Sequence, residues 1–269
     1  MVVSILGCGW YGKTLAKALL KNSVRVKGSA TSSEKLQQLA DLGTTPCLVN
    51  FKADSEDYDP EFFKCDILII SIPPKTRQGE SGDYLLKIQR IINAIDKYQI
   101  AKVIYISSTA VYGDSNSKVN ELNDPQPDTE SGGILLAAEH LFKKRLEFKT
   151  TIIRFAGLVG PGRHPGRFFA GKKAIPNGLA PVNLIHLDDC VGITLAIIER
   201  DAFGYVINAS SPDHPSKSDF YSNATLQSGL IAPEFINELN SWKQINSVLT
   251  ENLLHYEFKV SVWDNCTFD

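Results

Sequence analysis

Short apolar runs alternate along this chain with segments of helical periodicity, starting at the first residues. The runs Val2 to Leu6, Val24 to Gly28, Cys47 to Phe51, Ile67 to Ile72, Val103 to Ser107 and Thr151 to Phe155 have the length and branched side chains of buried strands. Between them the apolar positions recur every 3.6 residues or so. The clearest case runs from Asp83 to Tyr98, with Leu85, Ile88, Ile92 and Ile95 on one face. Strand and helix in alternation predict βαβ units and hence an α/β fold with a doubly wound parallel sheet. The helix after the second strand carries its own start signal: Thr31-Ser32-Ser33-Glu34 reads as a capping box, and Gly43 suits the helix end.

From Gly157 the pattern changes. Gly160-Pro161-Gly162, Pro165-Gly166 and Pro176-Asn177-Gly178 crowd turn residues into a stretch that holds little regular structure. The expected organisation is a first unit over residues 1–156 and a smaller second lobe over 157–269, with 182–210 returning to the first unit. Val182 to His186 reads as a strand, Asp188 as the N-cap of a helix through Glu199, and Tyr205 to Asn208 as another strand. Ser216 to Asp269 reads as short helices with a final strand near Phe258 to Val260.

Composition narrows the function classes. At 269 residues, 43% hydrophobic and 22% charged, the chain can bury a sizeable core. Lys and Arg number 28 against 30 acidic residues with no block of like charge, so no basic footprint for nucleic acid appears. The apolar runs fall far short of the ~20 residues of a spanning helix. Met1 to Lys21 lacks a basic start and is broken by Gly7, Gly9 and Gly12, unlike a secretory signal. No membrane association and a cytoplasmic location are expected. Cys8, Cys47, Cys65, Cys190 and Cys266 form no C-x-x-C pair, and His140, His164, His186, His214 and His255 show no metal-binding frame. Reduced thiols and no metal are the expectation.

The chemistry begins at Gly7-Cys8-Gly9-Trp10-Tyr11-Gly12, a G-x-G-x-x-G directly after a strand and opening a helix. In that setting Gly7 permits a tight turn, Gly9 lets a diphosphate approach the backbone, Gly12 lets helix and strand pack closely, and the helix start offers free N–H groups. The second strand ends in Ser29-Ala30-Thr31-Ser32-Ser33, without the carboxylate that would bond a ribose 2′-hydroxyl and repel a 2′-phosphate. NADP is favoured over NAD, although no Arg stands there to grip the phosphate.

Tyr105-Ile106-Ser107-Ser108-Thr109-Ala110-Val111-Tyr112-Gly113 ends the fifth strand, Arg154 to Arg163 covers the end of the sixth and the loop after it, and Asn183-Leu184-Ile185-His186-Leu187-Asp188-Asp189 and Gly204 to Asn208 come after. With the Gly-rich loop, these motifs resemble the extended short-chain dehydrogenase/reductases, the group of NAD(P)-dependent sugar-nucleotide epimerases and dehydratases, over residues 1 to about 210. The resemblance implies a Rossmann-type sheet. It implies that Ser108 bonds a substrate oxygen beside the nicotinamide. The cofactor then lies against Gly7, Gly9, Trp10, Tyr11 and Gly12, against Ser29, Thr31 and Ser32, and against Ile72, Pro73, Ser107 and Phe155. A homodimer through residues 83–98 and 134–147 is also implied.

The chain departs from that family at the proton donor. Anchored on Leu136-Ala137-Ala138-Glu139, the usual Tyr-x-x-x-Lys falls on Ser131 and Leu135, and neither can do its work. Gly157 stands where sugar-nucleotide enzymes carry Asn. Arg163, His164, Arg167 and Lys172 could meet an anionic substrate or form an ordinary solvated loop. The leading expectation is an NADP-binding reductase or epimerase acting on a small polar metabolite. Its rivals are a non-catalytic dinucleotide sensor and an empty scaffold.

Overall fold

The computed structural model describes residues 1–74, 81–263 and 268. Its main sheet uses β1 (Val2–Leu6), β2 (Arg25–Ala30), β3 (Thr45–Phe51), β4 (Glu56–Tyr58), β5 (Ile67–Ile70), β6 (Lys102–Ser108), β8 (Lys149–Phe155) and β11 (Val206–Ala209). The eight strands lie in the order β11-β8-β6-β5-β1-β2-β3-β4. All neighbours are parallel except β4, an edge strand antiparallel to β3 that the apolar pattern did not reveal. All four residues of β5 are buried, as a parallel sheet covered on both faces requires.

The alternation of the strands divides the core. Ile67, Ile69, Ile104 and Ile153 pack on one face with α1 (Trp10–Lys21) and α5 (Leu187–Glu199), through Leu15, Leu19, Ile193 and Ile197. Leu68, Ile70, Val103 and Ile152 pack on the other with α3 (Ser81–Lys97) and α4 (Glu130–Lys143), through Ile88, Ile92, Leu135 and Phe142. The sheet grows from β1 through β2 on one side and through β5 on the other. The carboxyl ends of β1 and β5 therefore flank the switch point, where open α/β sheets bind ligands.

A smaller layer completes the molecule. β9 (Gly157–Val159) pairs with β10 (Leu184–His186), and β7 (Ser117–Val119) with β12 (Lys243–Ile245). α2 (Ser33–Asp41), α6 (Lys217–Gln227) and α7 (Val248–Asn252) are the remaining helices among the described residues. Val159, Leu184, Phe220, Trp263 and Phe268 form a separate apolar cluster. β11 returns to the main sheet beside β8.

Three local expectations are corrected. The N-cap of α2 is Ser32, whose side chain makes no capping bond. Glu34 then falls at the second helical position, too early to close a box with Thr31. The N-cap of α5 is His186, not Asp188: the Asp188 amide donates to His186 Nδ1 at 3.2 Å, because β10 runs straight into the helix. Phe258 to Val260 is not a strand. The buried Asp189 carboxylate takes the amides of Lys259 (2.7 Å) and Val260 (3.1 Å), so neither pairs with a neighbouring strand. Cys8, Cys47, Cys65 and Cys190 are free thiols, while Cys266 lies outside the described residues.

Candidate dinucleotide site

The Gly-rich loop joins β1 to α1 at the switch point. Gly7 has φ +100°, and a Cβ there would stand 2.4 Å from the Ser71 carbonyl oxygen. A Cβ on Gly12 would stand 2.7 Å from the Gly7 carbonyl oxygen. Both positions exclude a side chain for packing reasons within the fold. Gly9 differs, since a Cβ there meets nothing within 4 Å among the described residues. Gly9 is also the N-cap of α1, with no side-chain capping bond and no acidic residue in the first turn. The open space therefore faces the positive end of a helix dipole, as an anion seat requires, and these residues fit a dinucleotide's diphosphate.

The neighbouring residues sort by what their side chains touch. Ser29 is buried, and its hydroxyl accepts the Gly7 amide at 2.9 Å, so it fixes the loop. Thr31 and Ser32 are exposed beyond the end of β2. The Ile72 carbonyl accepts the Tyr84 hydroxyl at 3.0 Å, and Pro73 is exposed next to it. Both lie past the end of β5, where the apolar run had suggested strand through Ile72.

Tyr11, Ser107 and Phe155 turn their side chains into the protein. Tyr11 shares a 2.7 Å hydrogen bond with Thr194 and meets Phe155 edge to face at 5.2 Å. Ser107 donates to Glu139 Oε1 at 2.7 Å. Glu139 is in turn clamped by Arg154, through Nε at 3.0 Å and Nη2 at 2.6 Å, with both side chains at most 1% exposed. Arg154 Nη1 also donates to the Tyr112 hydroxyl at 2.6 Å. This network leaves no sign in the sequence beyond the Glu that ends Leu136-Ala137-Ala138-Glu139. It fixes the strand end under Ser108. Tyr112, which bonds Asn120 and Asn208 as well, is thereby structural, and burial pushes its phenol above the ordinary range.

Ser108 is half-buried and caps the turn Thr109–Val111, its oxygen accepting the Ala110 amide at 3.2 Å. A hydroxyl that accepts from the backbone keeps its own proton to donate. α4 presses on this turn: a Cβ on Gly132 would stand 2.1 Å from the Ala110 carbonyl oxygen. Ser131 is thus beside the turn, while Leu135, at the position of the usual Lys, is 5% exposed in the apolar core.

The basic loop does not act as one cluster. His164 caps the turn Pro165–Arg167 and lies 3.0 Å from the Ser228 hydroxyl, Lys172 lies over Phe169, Arg167 is exposed, and Arg163 stacks on Trp10.

Residues 7–178 match the family model described as NAD(P)H-binding. The chain belongs to that family. Protein YeeZ of Escherichia coli K12 is 36% identical over 247 residues, covering 90% of this chain and 89% of that protein. A Bacillus subtilis protein, YtcB, named as an uncharacterized UDP-glucose epimerase, is 26% identical over 67% of this chain and 63% of its own length. Among solved structures, the UDP-glucuronic acid 4-epimerase of Bacillus cereus in complex with NAD superposes with a TM-score of 0.80 at 24% identity, covering 98% of this chain and 94% of that one. A functionally unknown protein from Silicibacter pomeroyi superposes with a TM-score of 0.79 at 22% identity, covering 97% and 95%. The epimerase-like Rossmann fold expected from the motifs is the fold of this chain.

Proposed function

We propose that the chain binds NADP in preference to NAD at the switch point and acts as a reductase or epimerase on a small polar metabolite. The observation that carries this reading is Gly9, the one position of the three glycines where a side chain would fit the protein but fill the diphosphate seat. The exposed Thr31 and Ser32, with no carboxylate between Ser29 and Ser33, support the choice of NADP. When bound, the nicotinamide supplies or accepts a hydride. Ser108 donates a hydrogen bond to a substrate oxygen, polarising the reacting carbon. Ser131 and Leu135 hold no proton relay, so the exchangeable proton comes from water.

The substrate is not bound as in sugar-nucleotide enzymes that use a side chain at the position of Gly157. A Cβ there would stand 2.8 Å from Leu184 Cδ2 and 3.1 Å from the Asn183 carbonyl oxygen. The implied dimer would use α3 and α4, where Leu86 is 54% exposed, and a monomeric mass by light scattering removes it.

Calorimetry with NADP and NAD tests the reading. NADP is expected to bind at least as tightly, and a ten-fold advantage of NAD, ~1.4 kcal/mol, overturns the preference. Binding of neither overturns the function. The burial of Leu135 favours a second reading, a dinucleotide sensor without turnover, which single-turnover oxidation of bound NADPH by a carbonyl substrate excludes.

A further inference from the structure

The turn Gly160–Arg163 closes on itself, with the Arg163 amide donating to the Gly160 carbonyl at 2.8 Å and positive φ at Gly160 (+138°) and Gly162 (+78°). Its tip rests on Trp10, the first residue of α1 and the neighbour of Gly9. Trp10 Nε1 donates to the Pro161 carbonyl at 2.6 Å, and the Arg163 guanidinium lies 4.6 Å above the indole ring. Positions 151 residues apart thus meet at the mouth of the Gly-rich loop.

Arg163 is exposed, and among the described residues no carboxylate pairs with it. The ring contact holds the guanidinium at the loop mouth while its N–H donors make no hydrogen bond among the described residues, which leaves them for phosphate oxygens. Beneath the same turn, His186 is 8% exposed, and its Nε2 is buried without a partner among the described residues, 3.1 Å from the Cβ that Gly160 lacks. The other ring nitrogen accepts the Asp188 amide, so Nε2 carries the proton, and the underside of the turn holds an unused donor. The loop Gly7–Gly12 itself contains no cation.

We propose that Arg163, held on Trp10, is the diphosphate-binding cation of this site, contributed by the second lobe to a cofactor otherwise seated on the first. The proposal rests on the dinucleotide reading above and adds its charge contact. It also gives the Trp10–Pro161 contact a purpose, which is to set the guanidinium beside the helix start.

Calorimetry on Arg163→Ala and Arg163→Lys, with NADP and NAD as probes at two salt concentrations, tests it. Both cofactors share the diphosphate, so Arg163→Ala is expected to weaken both by the same factor, ten-fold or more, and to flatten the salt dependence of Kd. Arg163→Lys, keeping the charge but losing the fork, is expected to fall between. An unchanged melting temperature shows that the variant is folded. Wild-type affinity for both cofactors in Arg163→Ala overturns the proposal, as does a loss confined to NADP, which would place the residue at the 2′-phosphate. If the wild-type protein binds neither cofactor, the function reading falls and this proposal with it.

Discussion

Replacing Gly9 and Gly7 separately by Ala isolates the ligand's demand on the loop from the fold's. At Gly9 the φ of −81° is open to Ala while the ψ of −150° lies just outside the β region, and the added methyl meets nothing within 4 Å among the described residues. Ala is a poorer N-cap than Gly by roughly 0.5–1 kcal/mol, while restricting the unfolded chain returns about 0.4–1 kcal/mol. The two largely offset, the ψ of −150° adds a small cost, and the melting temperature is expected to fall by less than about 4 °C. At Gly7 the φ of +100° disfavours any side chain, and the methyl would stand 2.4 Å from the Ser71 carbonyl oxygen. Backbone strain of ~1–3 kcal/mol plus overpacking of ~1–3 kcal/mol predicts a fall of at least about 5 °C.

Binding reverses the order. The Gly9 methyl takes the space of the diphosphate, and a loss of 100-fold or more, ~2.7 kcal/mol, is expected in calorimetry. A thermal scan gives the same answer independently: cofactor at about 100 times Kd stabilises the wild type by ~2.7 kcal/mol and leaves Gly9→Ala unshifted. A Gly9→Ala protein that melts normally and binds at wild-type affinity refutes the assignment of the open space to the diphosphate.

Once a substrate is in hand, Ser108→Ala is expected to lower kcat by ~10-fold or more and Ser131→Ala to leave the chemical step nearly unchanged. A large loss on Ser131→Ala would make that hydroxyl the proton donor. Arg154→Met leaves Glu139 buried without its bidentate partner and is expected to cost ~3–5 kcal/mol in urea denaturation, so a cost below ~1 kcal/mol would contradict the buried network. Burial holds the His214 imidazole below its ordinary value of 6.5, outweighing its hydrogen bond to the Val182 carbonyl. Its contribution to stability is therefore present above pH 6.5 and lost as the pH falls through the lowered value. His214→Gln is expected to flatten that part of the stability profile. Burial pushes the Cys8 thiol up to about 12, so peptide mapping after iodoacetamide at pH 8 is expected to find Cys8 unmodified.

The sequence by itself determined the sheet and the loop at its switch point. Both are encoded locally: β1 and β5 are apolar on both faces, and the three glycines have fixed spacing between a strand and a helix. It also wrote Ser131 and Leu135 at the two positions where the motif resemblance sets a Tyr and a Lys. What local pattern could not reveal depends on partners distant in the chain. Ser107 and Phe155 read as crevice residues, yet Ser107 turns to Glu139, 32 residues on, and Phe155 packs on Tyr11. Phe258 to Val260 reads as a strand until the buried Asp189, some 70 residues earlier, takes its amides. Arg163 reads as one charge among several in a loop, and only the tertiary fold sets it on Trp10. Apolar periodicity reports which face of an element is buried, because burial acts through the element's own repeat. The partner of a single polar side chain is chosen by the packing of elements against one another, and that choice leaves no period in the sequence.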